Sequence, residues 1–167
     1  MTPVQGRPKD LHPIALTRGW PDEAAARVTN LLSRFPKPPG ALAPIAASAR
    51  LLRAQARAME GRAALALADA DAAVAVRSHP DTEAAASRIR TEVYLLQGDV
   101  DGALRESENA IRRLPSSLWN RYWRGRALLA GPSREEGLTM LKDLAASFPR
   151  EHWGMEAGKE VGRAGGM

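Results

Sequence analysis

The chain lacks cysteine and is poor in aromatic residues. Without cysteine it can form no disulfide, no thiolate nucleophile and no cysteine-ligated metal site. With 2 Phe, 2 Tyr and 4 Trp in 167 residues, the core has to be built from alanine, leucine, valine and isoleucine. Small side chains of this kind favour helices packed closely on helices, whereas a β-sandwich uses more aromatic and β-branched residues. We therefore expect one all-α domain.

Long apolar runs are also missing, because no stretch approaches the ~20 apolar residues of a membrane-spanning helix. The first residues, MTPVQGRPKDLHP, have no apolar segment of the kind that a secretory signal requires. These two features predict a cytoplasmic protein. Lysine occurs only at 9, 37, 142 and 159, so the net charge of +5 comes from arginine. Arginine pairs well with carboxylates and favours an acidic partner, although a general preference for arginine explains the composition equally well.

Catalytic motifs are absent from the sequence. His12, His79 and His152 fall in separate turns, with no carboxylate at metal-ligand spacing. Asp69 and Asp71 are two residues apart, so on a helix they point to different faces and cannot act as an acid–base pair. The sequence has no nucleophile elbow, phosphate-binding loop or dinucleotide fingerprint. We expect no enzymatic activity, no cofactor and no metal.

Four prolines punctuate the chain at regular intervals, namely Pro36, Pro80, Pro115 and Pro149. Their spacings are 80 − 36 = 44, 115 − 80 = 35 and 149 − 115 = 34 residues. We assign the longer first interval to an inserted loop over 37–44. Small residues stand twelve positions before each proline: Ala24, Ala68, Ala103 and Gly137. A fixed period with small residues in register predicts repeated helical hairpins.

Turn signals divide each repeat into two helices. Gly98 ends one helix and Asp99 caps the next, which ends before Pro115. The segment Ser133–Glu136 has the form of a capping box. The predicted helices lie near 10–18, 21–34, 44–60, 62–77, 83–97, 99–113, 117–130 and 132–147.

These residues resemble the tetratricopeptide repeat family. The matching positions are Tyr94, Gly98, Ala103, Ala110 and Pro115, and then Gly125, Gly137, Leu141 and Pro149 one period later. The resemblance implies an α-solenoid of about four antiparallel hairpins in a right-handed superhelix, with repeats near 5–38, 44–82, 84–117 and 118–151. Ser87 and Arg90 depart from the family pattern, where an aromatic residue and leucine are usual. We expect irregular packing there, or a shift by one residue onto Ile89.

The segment 152–167 is predicted to be a capping helix or a flexible tail. Gly154, Gly158 and Gly162 would line one helix face and permit close packing. Each glycine costs about 1 kcal/mol in a helix, which favours a frayed tail.

In the family, the first helix of each pair lines the concave side. Residues one period apart would then form ladders across a groove: Arg53, Arg88 and Tyr122 in one, and Arg57, Glu92 and Arg126 in another. Two further ladders end in Trp119 and Trp123. The candidate peptide-binding residues are therefore Arg53, Arg57, Arg88, Glu92, Trp119, Tyr122, Trp123 and Arg126. The alternative is a solvated face on which Glu92 neutralises the arginines and Trp123 lies in the core.

The resemblance implies a protein–protein interaction scaffold or adaptor that binds a peptide or helix carrying acidic residues and one large apolar anchor. The family's groove for C-terminal carboxylates uses asparagines that are missing at these positions, so we do not carry that specificity over. Two alternatives remain open at this point. One is binding of single-stranded nucleic acid by a basic helical repeat, and the other is a regulatory or self-assembly domain of a larger protein.

Overall fold

The computed structural model describes residues 21–34 and 40–165, which form eight α-helices and no β-strand. The helices are α1 Pro21–Arg34, α2 Ala43–Met59, α3 Ala63–Val76, α4 Pro80–Gln97, α5 Val100–Arg113, α6 Leu118–Ala130, α7 Arg134–Ser147 and α8 His152–Gly165, with a short 3-10 turn at Gly40–Leu42. The all-α prediction is confirmed. The helix predicted at 10–18 lies outside the described residues. Among the helices described, none is long and apolar enough to cross a membrane.

Two predicted helix boundaries follow directly from local chemistry. Gly98 adopts a left-handed conformation with φ 76°, which glycine tolerates without steric cost, and ends α4. The Asp99 carboxylate accepts a hydrogen bond from the Gly102 N–H at 2.8 Å and caps α5. The predicted capping box at the start of α7 is wrong, because the side chain of Ser133 makes no capping hydrogen bond.

Helix α4 begins at Pro80, three residues before the predicted start. Proline is well suited to the first turn because its missing N–H would have no helical partner there. His79 caps the helix, and its Nδ1 accepts a hydrogen bond from the Asp81 N–H at 3.3 Å. His79 therefore has a structural role.

The helices pack in two layers. Each helix contacts the next one along the chain, and the even-numbered helices α2, α4, α6 and α8 also contact one another in succession. The odd-numbered helices α1, α3, α5 and α7 have no comparable contacts among themselves in the described chain. The even-numbered helices therefore form a continuous layer, and each odd-numbered helix lies against it.

Alanine and glycine make the close helix crossings possible. Ile89 is fully buried among Ala54, Ala70 and Ala86, between α2, α3 and α4. Ile89 is thus a core residue, which agrees with one of the two outcomes expected where Ser87 and Arg90 depart from the family pattern. Between α6 and α7, a Cβ added to Gly137 would lie 2.5 Å from the Leu129 nitrogen, so only glycine fits there.

Helix α8 corrects the expectation of a frayed tail. It packs on α6 and α7, with Ala157 fully buried. A Cβ at Gly154 would lie 1.8 Å from the Phe148 carbonyl oxygen, so this glycine allows the backbones to approach closely. A Cβ at Gly162 would meet nothing within 4 Å. Tertiary packing offsets the low helix propensity of the glycines.

The repeat register also differs from the prediction. Both ends of α3 and α5 are 100 − 63 = 37 residues apart, whereas those of α5 and α7 are 134 − 100 = 34 apart. The ion pair Arg53–Asp69 therefore corresponds to Arg90–Glu106. The predicted offset of 35 between the second and third repeats is therefore wrong by two residues. Pro80 is the first residue of α4, whereas Pro115 and Pro149 precede α6 and α8, so aligning these prolines misplaced the repeat predicted at 44–82.

Candidate functional site: an aromatic pocket

All four even-numbered helices contribute residues to one pocket of about 340 Å³. The residues are Gln55 and Met59 of α2, Glu92 of α4, Trp119, Tyr122 and Trp123 of α6, and His152, Trp153, Glu156 and Lys159 of α8. Packed helices lie about 8–10 Å apart, so in a flat layer α2 and α8 would be separated by roughly 24–30 Å. Both helices nevertheless line the same small pocket, which favours a layer that curves around it.

Three of the four tryptophans in the chain meet at this pocket. Trp119 and Trp153 stack with their ring centroids 5.1 Å apart and their planes at 16°. Tyr122 lies 5.0 Å from Trp153 and meets Trp123 edge-on at 5.5 Å. These are the separations that aromatic pairs prefer. The rings form one continuous series that joins α6 to α8.

A buried arginine lies at one end of the ring series. The Cζ of Arg88 is 3.2 Å from the centroid of the Trp119 ring, and the residue is 8% exposed. Its Nε is sealed from solvent without an acceptor among the described residues. Burial lowers the pKa of Arg88 to about 9, and the charge of Glu92 opposes this shift. Arg88 therefore stays a cation at neutral pH, held mainly by the indole face.

A buried glutamate from α4 reaches the pocket. Glu92 is 7% exposed, and its Oε2 accepts a hydrogen bond from Gln55 Nε2 at 2.5 Å. Burial raises the pKa of Glu92, and the Gln55 hydrogen bond and the charges of Arg88 and Arg126 oppose the rise. Gln55 and Glu92 are 37 residues apart, which is the separation that the helix bounds give for equivalent positions.

Opposite charges compensate one another around the pocket. Lys159 donates to Glu156 at 2.6 Å. The Cζ of Arg126 lies 5.0 Å from the centroid of the Trp123 ring. Its Nε lies 4.0 Å from Oε1 of Glu160. The pocket is therefore aromatic, with balanced charge, and it does not present a field of one sign.

The structure brings together six of the eight predicted residues. Glu92, Trp119, Tyr122 and Trp123 line the pocket, while Arg88 and Arg126 pack against its rings. Trp123 is also part of the core, as the alternative interpretation expected.

Arg53 and Arg57 are the two exceptions. Both donate to the buried carboxylate of Asp69 at 2.6–2.7 Å, and neither is among the residues that line the pocket. The predicted ladders that joined Arg53 to Arg88 and Arg57 to Glu92 are therefore wrong. The two-residue register difference is the reason, because it places Gln55 beside Glu92.

Sequence reasoning missed the residues of α8 and α2 in the pocket. The signal for α8 was present, since Trp153 follows Trp119 by 153 − 119 = 34 residues, one repeat period. Because three glycines favoured a frayed tail at 152–167, Trp153 was not assigned to the groove. Gln55 and Met59 could be placed at the pocket only once the 37-residue offset between α2 and α4 was known.

Nothing in comparisons with protein families, curated proteins and solved structures matches this chain. Membership of the tetratricopeptide family therefore stays a prediction from the repeat pattern. In the described residues, no group of His, Cys, Asp and Glu is arranged to hold a metal ion.

Proposed function

We propose that this protein is a non-enzymatic protein-interaction module of the tetratricopeptide type. It binds a peptide or helix of another protein, with one large side chain inserted in the aromatic pocket. The observation that carries the proposal is the convergence of four aromatic rings from α6 and α8 in a pocket to which all four even-numbered helices contribute.

The composition of the pocket supports recognition of a protein. Binding energy at interfaces concentrates in a few desolvated aromatic and arginine residues, and Trp119, Trp153 and Arg88 form such a group. A volume of about 340 Å³ is near the lower end of the range for ligand sites, about 300–1,000 Å³. A pocket of this size suits one bulky side chain.

The alternation of hairpins supports a solenoid. Equivalent helices begin 34–42 residues apart, and α8 follows α6 at 34 residues. Stacked units of this kind create extended curved surfaces that bind partners. In this proposal the curved layer of even-numbered helices is the docking face.

The acidic partner expected from the sequence has less support after the register is corrected. Arg53 and Arg57 are both paired with the carboxylate of Asp69 and do not line the pocket. The carboxylates of Glu92 and Glu156 line the pocket and disfavour both an acidic anchor and a nucleic-acid phosphate. Specificity then depends on the shape and polarity of the anchor side chain.

A peptide-display selection on the purified protein tests this function. Selected peptides are measured by calorimetry against Met59→Glu, which puts a charge in the pocket at a residue that is 39% exposed. We expect affinity to fall at least about tenfold, since a charge in an apolar site costs more than about 1.4 kcal/mol.

Leu65→Glu is the matched control, because Leu65 is 43% exposed on α3 and does not line the pocket. It should leave binding unchanged. Peptides that bind Met59→Glu as tightly as the wild type would contradict the proposal. So would binding only to single-stranded oligonucleotides, with a steep loss of affinity in salt.

A further inference from the structure

One oxygen of Glu92 has no partner in the described chain. Oε2 accepts from Gln55, whereas Oε1 makes no hydrogen bond to a described residue and is not sealed from solvent. The residue is more than nine-tenths buried and lines the aromatic pocket. A carboxylate oxygen in this position accepts a hydrogen bond strongly, and leaving it unsatisfied when a ligand displaces solvent is costly. A ligand that fills the pocket therefore needs a donor at this point.

The surroundings of Glu92 disfavour a cationic donor. The positive charges of Arg88, Arg126 and Lys159 are already balanced around the pocket by Glu92, Glu156 and Glu160, so a further cation gains no net electrostatic attraction. A cation binds an aromatic ring over its face. The two faces of Trp119 are covered by Arg88 and by Trp153, because each lies directly over the ring. A lysine or arginine side chain would therefore gain little from the charges and would find both faces of Trp119 occupied.

Half of the residues that line the pocket are apolar or aromatic. Met59, Tyr122 and the three tryptophans offer side-chain carbons to a ligand. Aromatic rings pack well edge to face against such a wall, and methionine adapts its shape to its neighbour. A flat, mostly apolar side chain with one polar hydrogen at its tip therefore matches both the wall and the carboxylate.

We infer that the pocket selects a tyrosine or tryptophan side chain of the partner protein, whose O–H or N–H donates to Glu92 Oε1. This inference rests on the proposed function and adds the identity of the anchor. Phenylalanine fits the wall but leaves the carboxylate oxygen without a donor. Glutamate and aspartate are repelled by it. Glu92 is thus the residue that determines specificity, and the rings supply the contact area.

Side-chain analogues test this directly on the full chain. p-Cresol, 3-methylindole, toluene, n-butylammonium and propionate are titrated in turn, and the indole N–H signals of the pocket tryptophans are followed by NMR. p-Cresol and 3-methylindole should bind about tenfold more tightly than toluene, the size expected for a hydrogen bond to a charged acceptor. n-Butylammonium and propionate should bind more weakly than p-cresol.

Two variants assign the effect to the carboxylate. Glu92→Leu should abolish the preference for p-cresol over toluene while toluene still binds. Glu92→Gln keeps a neutral acceptor and should reduce the preference to a few-fold, since uncharged acceptors are roughly half as strong. Glu92→Gln also preserves the hydrogen bond with Gln55, so it keeps the test decisive if the leucine variant does not fold.

The outcomes separate the two proposals. Equal binding of p-cresol and toluene to the wild type, with the pocket signals shifted by both, would overturn the role of Glu92 and leave the pocket as an interaction site. Tightest binding of n-butylammonium would overturn the role of Glu92 in favour of a cationic anchor. If no analogue shifts the pocket signals, the anchor inference fails and the pocket also loses its support as the docking site.

Discussion

Trp119 and Trp153 occupy equivalent positions in successive repeats and stack at 5.1 Å. Each is the second residue of its helix, Trp119 in α6 and Trp153 in α8, so the pair joins the last described helix to the rest of the layer. The same two rings form part of the pocket wall. The contact that holds α8 in place is therefore also a contact that shapes the candidate site.

The first prediction is an energetic coupling between these two tryptophans. Trp119→Ala and Trp153→Ala should each lower the free energy of unfolding by about 2 kcal/mol, less than for a fully buried tryptophan because both rings are partly exposed. The double variant should lose about 1 kcal/mol less than the sum, since an aromatic pair contributes roughly that much beyond its buried area. Urea denaturation measures all four proteins. Strict additivity would contradict the coupling, and Met155→Ala on the exposed face of α8 serves as the control.

Much of the fold could be predicted from the sequence because its signals are local. Gly98 and Asp99 mark a turn by their own conformational preferences, and the structure uses both residues as expected. Pro80 misled the prediction because proline is compatible with a loop and also with the first turn of a helix. Aligning Pro80, which begins α4, with Pro115, which lies in a turn, shifted the repeat predicted at 44–82 by two residues.

The candidate site was predictable only where the register was right. Trp119, Tyr122 and Trp123 belong to the regular 34-residue part of the chain, and they were found. Arg53 was misplaced, because no local signal distinguishes an offset of 35 from one of 37. Trp153 was missed because the helix propensity of the glycines, a local property, favoured a frayed tail. The close packing of Gly154 on Phe148, which holds α8 in place, is a tertiary contact that the local sequence does not reveal.

A second prediction concerns the buried carboxylate of Asp69. Asp69 accepts hydrogen bonds from Arg53 and Arg57 and is 3% exposed. Asp69→Ala leaves both guanidinium groups without this acceptor and should lower the free energy of unfolding by about 3 kcal/mol, because breaking a buried ion pair on one side is costly. Asp71→Ala is the control, since the Asp71 side chain is 66% exposed and its pair with Arg90 should contribute less than about 1 kcal/mol. Similar losses for both variants in urea denaturation would contradict the assignment.

A third prediction follows from the raised pKa of Glu92. The folded state holds the Glu92 proton to a higher pH than the unfolded chain, where the carboxyl has its ordinary pKa of 4.5. Below pH 4.5 both states hold the proton, and the buried carboxyl costs no stability through its charge. The free-energy penalty grows as the pH rises from the unfolded pKa to the folded pKa, and above the folded pKa it is constant. Glu92→Gln removes this penalty, so its stability relative to the wild type should increase between about pH 4 and pH 7. Urea denaturation across this range measures the difference.

The matched control for Glu92 is Glu83, whose pKa is lowered by hydrogen bonds from Ser78 and Arg113. The stabilising effect of Glu83 is present above the ordinary glutamate pKa of 4.5 and is lost as the pH falls through the folded value. Glu83→Gln should therefore become less stable than the wild type as the pH rises from about 4 to 7. A pH-independent difference for Glu92→Gln would show that its charge carries no net penalty in the fold.

The fourth prediction uses two glycines of α8 that differ in their surroundings. A Cβ at Gly154 would lie 1.8 Å from the Phe148 carbonyl oxygen, whereas one at Gly162 would meet no atom within 4 Å. Gly154→Ala should lower the free energy of unfolding by about 2 kcal/mol or more, because the backbone of α8 has to move away from the end of α7. Gly162→Ala should raise it by about 0.5–1 kcal/mol through helix propensity alone. Urea denaturation measures both changes.

The same two variants should also differ in binding. Because Trp153 directly precedes Gly154, Gly154→Ala should weaken the binding of p-cresol, whereas Gly162→Ala should not. Equal stabilisation by both alanines would mean that α8 does not pack on α7 through Gly154, and the wall that α8 adds to the pocket would then have to be reassigned.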